Sequence, residues 1–199
     1  MEQPCFPHFE KALLRDRMRE LCRVHCARTT PAGREAAARA LLAQLLRHPA
    51  WKSIRRPVLY CATVSEAPTH AVHAHCLRHK LWVHLPRIAP DGRLTLHRVG
   101  PGTPLVSGAH GIVEPPPDAP GVAPCETDFV LVPGLAFDLS GRRLGHGRGC
   151  YDRLFATLPA GIPRIAFAYD WQILPAIPAA PHDVPVHGIV TPARGLVPG

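Results

Sequence analysis

A three-layer α/β/α sandwich around a largely parallel central sheet is the architecture this chain encodes. Two patterns say so. Segments with helical periodicity alternate with short apolar runs, at Pro57–Thr63, Leu81–Leu85, Phe129–Val132, Arg164–Ala168 and Gly188–Val190. Such alternation builds a parallel sheet covered by helices on its faces. Glycine and proline punctuate the ends of these runs, and in this architecture ligands sit beyond the strand C-termini.

The helices come first. Phe9 to His25 reads as an amphipathic helix, with Phe9, Leu13, Leu14, Leu21 and Val24 on the apolar face and Lys11, Arg15, Arg19 and Arg23 off it. A second helix starts after Thr30, a good N-cap, with Pro31 in the first turn. It runs through Leu41, Leu42, Leu45 and Leu46 and stops before Pro49. A third spans about Thr69 to His79. The strand at Leu81–Leu85 is expected to end at Pro86, and Arg93–Val99 alternates like a half-buried strand. The stretch from Gly100 to Thr127 is rich in proline and glycine, and long irregular segments inside a domain are often functional.

Bulk properties narrow the function. The 199 residues suit one domain spanning 1–199, with 46% hydrophobic and 19% charged residues. Proline is high, 24 residues, against a typical ~5%. The net charge of +8 suits an anionic ligand. No basic run interleaves with stacking aromatics, so nucleic acid is not an expected partner. Seven cysteines, at 5, 22, 26, 61, 76, 125 and 150, form no Cys-x-x-Cys pair and read as reduced thiols. Met1–Arg19 lacks the apolar core of a signal peptide, and no apolar run approaches the ~18 residues of a membrane span. A cytoplasmic monomer without a membrane partner is the expectation.

Chemistry concentrates in Asp128–Leu154, DFVLVPGLAFDLSGRRLGHGRGCYDRL. A buried strand ends at Pro133-Gly134. Asp138 and Ser140-Gly141 turn the chain, and glycines follow at 145, 147 and 149. Glycines at alternate positions let backbone N–H groups approach an anion closely. A helix opening near Gly149 is expected to add its N-terminal N–H groups. Arg143 and Arg148 bring bidentate charge. Asp152, one turn on, can hold Mg2+ against phosphate. The spacing fits neither the P-loop nor the dinucleotide fingerprint.

This stretch resembles the signature of the 5-formyltetrahydrofolate cyclo-ligase (5,10-methenyltetrahydrofolate synthetase) family, approximately PG-x-aF-D-x-x-G-x-R-L-G-x-G-x-G-aromatic-Y-D-R. The resemblance extends along most of the chain. Lys11 and Arg15 match a K-x-x-x-R on the first helix. Ser65-Glu66-Ala67-Pro68-Thr69 resembles E-x-x-T, whose glutamate holds the pterin edge. Gly111-Ile112-Val113-Glu114-Pro115 resembles a G-I-x-E-P pocket wall, and Pro181-His182-Asp183 with Ile189-Val190-Thr191 resembles the family's ending.

The resemblance implies a Rossmann-like sandwich of the NagB/RpiA/CoA-transferase-like kind. It also implies ATP- and Mg2+-dependent cyclisation of 5-formyltetrahydrofolate to 5,10-methenyltetrahydrofolate. It assigns Lys11, Arg15, Arg143, Leu144, Gly145, His146, Gly147, Arg148, Gly149, Cys150 and Tyr151 to ATP. Arg143, Arg148 and Tyr151 become catalytic, Glu66, His110 and Tyr151 substrate-binding, and Asp152 and Asp183 the metal pair. The chain departs from the pattern at Cys150, where an aromatic is usual, and at His146, His110 and His187. A paralogue that binds nucleotide or folate without turnover is the alternative that Cys150 raises. His70, His73, His75, Cys76 and His79 pose a separate question of zinc or nickel, since His75 and His79 share a helix face.

Overall fold

Thr30 caps a helix as its sequence promises, its hydroxyl accepting from Gly33 N. In the computed structural model of the chain, residues 7–108, 111–181 and 183–196 are described. The elements run α1 Pro7–Arg28, α2 Pro31–Arg47, β1 Pro57–Val58, α3 His70–Arg78, β2 Val83–Ile88, β3 Leu94–Val99, β4 Val106–Ser107, β5 Val113–Glu114, β6 Gly121–Val122, β7 Phe129–Val132, β8 Ala136–Asp138, β9 Arg143–Leu144, α4 Cys150–Phe155, β10 Arg164–Phe167, β11 Ile173–Leu174, β12 Gly188–Val190 and β13 Gly195–Leu196.

The main sheet has the order β13-β12-β10-β7-β1-β2-β3-β6. Its heart, from β12 to β2, is parallel. Both edges are antiparallel, through β13 on one side and through β3 and β6 on the other. Small sheets β11-β8-β9 and β4-β5 stand apart from it.

Strand alternation decides what each face meets. Phe129, Leu131, Ile165 and Phe167 join Leu41 and Leu45 of α2 and Val72 and Cys76 of α3 in one core. Val130, Val132, Ala166 and Ala168, from the same strands, meet Leu154 and Phe155 of α4 in a second. Phe129–Val132 and Ile165–Ala168 are apolar at every position because both faces are covered.

Two expectations need correcting. Pro86 does not end β2, which runs on to Ile88 and pairs Pro86 with Leu96. The only register pair of β2 with β1 is at His84, so the missing N–H of Pro86 falls beyond that ladder. The inward stripe of α1 also differs. Lys11, Met18 and Cys22 are buried, while Leu13, Leu21 and Val24 are exposed. Met18 and Cys22 pack on Leu135, Ala136, Leu144 and Ile177. The side chain of Phe9 lies outside the described residues.

Candidate active site

Beyond the C-terminal ends of β1 and β7 lies a cavity of about 550 Å³. These neighbouring strands are where the chain order departs in opposite directions, to β2 on one side and to β10 on the other. Clefts form at such points because the following connections leave over opposite faces of the sheet.

One end of the cavity is a loop and a helix face. Asp138, 1% exposed, organises the loop: Oδ1 accepts from Ser140 N (2.9 Å) and Arg142 N (3.0 Å), and Oδ2 from Ile177 N (2.8 Å). From below, Gln172 donates to Gly134 O and Leu135 O. The turn thus delivers Arg143 into the cavity wall. A Cβ at Gly134 would sit 2.7 Å from Phe137 and 3.2 Å from Cγ of Arg143, so glycine makes room for that arginine. Gly147 and Gly149 have φ of +101° and +62°, where side chains are strained.

Cations converge on this loop. The Arg15 guanidinium donates to Gly145 O at 3.1 Å, and that of Arg19 to His146 O at 3.1 Å. Arg143 Nη2 donates to both carboxylate oxygens of Asp152, at 3.1 and 3.0 Å, while its buried Nε has no partner among the described residues. Its guanidinium stands over the rings of Tyr151 and Phe155 at 5.5 and 5.7 Å. Lys11, 4% exposed, pairs with the half-buried Asp183, which also accepts from Ala180 N. Among the described lining residues, Lys11, Arg15, Arg19, Arg143 and Arg148 surround one space beside Asp152 and Asp183.

The other end is assembled from distant pieces. Glu66 Oε2 accepts from Thr63 N (2.8 Å) and Thr63 Oγ1 (3.0 Å); Oε1 has no partner among the described residues. Leu85, Pro86, Ile88 and Leu94 of the β2–β3 hairpin and Ile112 and Val113 give an apolar wall. Glu114, 2% exposed, anchors that wall by pairing with Arg87 (2.8 Å) and accepting from Ile88 N (3.1 Å). The two ends are tied together by Arg153, which donates to Arg148 O (2.9 Å) and to Gly92 O in the hairpin turn (2.8 Å).

Burial pushes the Tyr151 phenol far above its ordinary range, with the Glu66 charge adding to the effect, so it remains protonated. Cys61 is pushed up to about 11 by burial and then by Glu66, and stays a thiol. His146 is driven toward its neutral form, first by desolvation.

The structure gathers Lys11, Arg15, Glu66, Arg143, Gly145, His146, Gly147, Arg148, Gly149, Cys150, Tyr151, Asp152 and Asp183 around this one cavity. Leu144 is the exception, 1% exposed in the core beneath the loop, where its side chain is away from the cavity. His110 and His182 lie outside the described residues. The helix after Gly149 has six residues, under two turns, so its dipole is slight and the positive character of this end comes from the cationic side chains. Arg19 was missed, although Lys11, Arg15 and Arg19 recur every fourth residue, which is one stripe of a helix.

The histidines of α3 do not converge. His70 pairs with Glu35 at 2.7 Å, His73 hydrogen-bonds Tyr60 O at 2.9 Å, and His75 and His79 face each other with ring centroids 4.3 Å apart. Among the described residues no three His, Cys, Asp or Glu side chains are placed to hold a metal.

Fold and site together define an α/β protein with a cationic, glycine-lined cradle at the switch point of its sheet. The chain belongs to the 5-formyltetrahydrofolate cyclo-ligase family, whose profile matches residues 8–192. It is 47% identical over 98 residues to the 5-formyltetrahydrofolate cyclo-ligase of Mycolicibacterium smegmatis, covering 49% of this chain and 50% of that one. With the mitochondrial enzyme of that name from Arabidopsis thaliana it shares 31% over 186 residues, 80% of this chain and 66% of the relative. It thus spans about half to two thirds of the length of these relatives. The solution structure of Aquifex aeolicus 5,10-methenyltetrahydrofolate synthetase superposes with a TM-score of 0.78 at 29% identity, covering 92% of each chain. No helix among the described residues is long and apolar enough to cross a membrane.

Proposed function

We propose that the chain cyclises 5-formyltetrahydrofolate to 5,10-methenyltetrahydrofolate, consuming ATP and releasing ADP and phosphate. One observation carries the reading: the glycine loop, the cations of α1 and the carboxylate of Glu66 open into one cavity. An anionic co-substrate and a cyclic amidine-like edge can therefore meet there.

An N-formyl group is a poor electrophile and its oxygen a poor leaving group. In the proposed reaction the formyl oxygen attacks the γ-phosphorus of ATP and ADP departs. N10 then attacks the activated carbon, phosphate leaves with the former formyl oxygen, and N10 gives up its proton as the amidinium ring closes. The protein's work is alignment and charge neutralisation, the main demands of phosphoryl transfer. Lys11, Arg15, Arg143 and Arg148 meet phosphate oxygens, and the backbone of 145–149 cradles them. Oε1 of Glu66 accepts N–H bonds from the pterin, while Tyr151, a neutral phenol, packs and donates rather than acting as a base.

Asp152 and Asp183 are the carboxylates that would hold a divalent cation, since both are half-buried on the cavity wall, where they now face Arg143 and Lys11. Mg2+ held there would neutralise the phosphates. Arg143 and Lys11 would then exchange carboxylate for phosphate oxygen.

The test is absorbance at the methenyltetrahydrofolate band with 5-formyltetrahydrofolate, Mg2+ and ATP. The signal is expected to grow only with ATP and to vanish in Asp152→Ala. ATP binding without any signal would favour the non-turnover paralogue, and loss of both would remove the reading.

A further inference from the structure

Residues 61–69, which carry Glu66, belong to no helix or strand. A carboxylate that must meet a flat ligand edge needs a fixed backbone under it. The loop finds one in a side chain that the family signature does not include. Arg34, from the first turn of α2, reaches across with Nη2 to Thr63 O at 2.7 Å and with Nη1 to Val64 O at 2.9 Å and Glu66 O at 3.1 Å. Three carbonyls of four consecutive residues thus point at one guanidinium. Their dipoles would repel one another without it, and charge-assisted bonds to a planar fork are both strong and directional.

The consequence lies on the opposite side of the loop. With its carbonyl held toward Arg34, Thr63 presents its N–H and hydroxyl to Oε2 of Glu66, leaving Oε1 for a ligand. Arg34 does not line the main cavity; it borders a smaller recess of about 230 Å³ with His25, Cys26, Val64 and Tyr169. It therefore touches no substrate.

We infer that Arg34 is a positioning residue, which sets the orientation of the Glu66 carboxylate and thereby the affinity for the pterin-bearing substrate, without acting on the nucleotide. The inference rests on the proposed function. Lysine cannot reproduce the role, since a single ammonium does not span three carbonyls in fork geometry.

The test compares Arg34→Ala, Arg34→Lys, Glu66→Ala and the Arg34→Ala/Glu66→Ala double variant. It measures the Kd for 5-formyltetrahydrofolate by fluorescence titration and the KM for each substrate. Arg34→Ala is expected to weaken folate binding about tenfold or more while KM for ATP stays within about twofold. Arg34→Lys should recover only part. In the Glu66→Ala background the Arg34 change should add almost nothing, because its effect passes through that carboxylate. Equal losses for both substrates, or additive losses in the cycle, would overturn the inference and leave Arg34 a prop of the fold. Wild-type protein that binds no 5-formyltetrahydrofolate would sink the functional reading itself. The two failures are thus distinguishable, one seen in the wild type and the other only in the variants.

Discussion

The proposed phosphate end of the cavity comes from one continuous stretch, 143–152, laid against one face of α1, whereas the proposed folate end borrows from the 63–66 loop, the β2–β3 hairpin and the β4–β5 ribbon. The first is held by backbone shape: glycines at positive φ, and an Asp138 carboxylate that accepts three backbone N–H bonds. The second is held by side chains that clasp backbone from a distance, Arg34 on 63–66 and Glu114 on Ile88. In the proposed reading, local shape meets a group common to all nucleotides, and long-range clasps adapt a wall to one particular ligand. Damage at either end should therefore be felt mainly by its own substrate.

The largest separation is expected from Arg143→Ala. Its guanidinium lies on the Tyr151 and Phe155 rings and pairs with Asp152, so the change removes a phosphate contact and strands a half-buried carboxylate. One charged contact contributes about 1.5–3 kcal/mol, so kcat/KM should fall about tenfold to a hundredfold. The Kd for 5-formyltetrahydrofolate without ATP should barely move. A comparable loss of folate affinity would show that the two ends do not act separately.

Gly108→Ala attacks the other end. A Cβ there would land 2.0 Å from the carboxyl carbon of Glu114, which is buried and pairs with Arg87. Glu114 must move, and breaking such a buried pair costs about 3 kcal/mol. The expected outcome is a lower Tm and a severalfold higher KM for the folate, with KM for ATP unchanged. A normal folate KM would remove Glu114 from the wall-building role.

These contrasts also explain what could be read in advance. The glycine loop at 143–152 was legible as a cavity-lining turn because its determinants are contiguous, with glycine, arginine and aspartate at fixed offsets. Helix positions, the parallel heart of the sheet and the Thr30 cap were legible because they depend on local periodicity and one hydroxyl. The face of α1 was misread because Lys11 turns inward with Met18 and Cys22, and hydrophobicity alone sends a lysine outward. Arg34, the Gly108 contact and the pairing of Glu114 with Arg87 were invisible for a different reason, although the resemblance had already put Glu114 in a pocket wall. Each acts on a partner brought near only by the fold, and nothing at either position marks the pairing.

The smallest effect concerns acid, and it separates the fold from both ends of the site. His25, His48, His73, His75, His84, His146 and His187 are all held below the ordinary imidazole value of 6.5, each mainly by desolvation. A depressed folded-state value means that the unfolded chain binds protons first as pH falls. Stability is therefore intact above about 6.5 and declines below it, down to the folded values. His73 is the histidine to test, since desolvation holds it down against its hydrogen bond to Tyr60 O, which favours the charged form, and the positive charge of His70 adds to the depression. Tm should fall by a few degrees between pH 7 and pH 5.5, and His73→Gln, which keeps an N–H donor but cannot titrate, should flatten part of that slope. An unchanged slope in the variant would mean that His73 is protonated as easily folded as unfolded. The acid sensitivity would then belong to the other desolvated histidines rather than to the wall behind Tyr60.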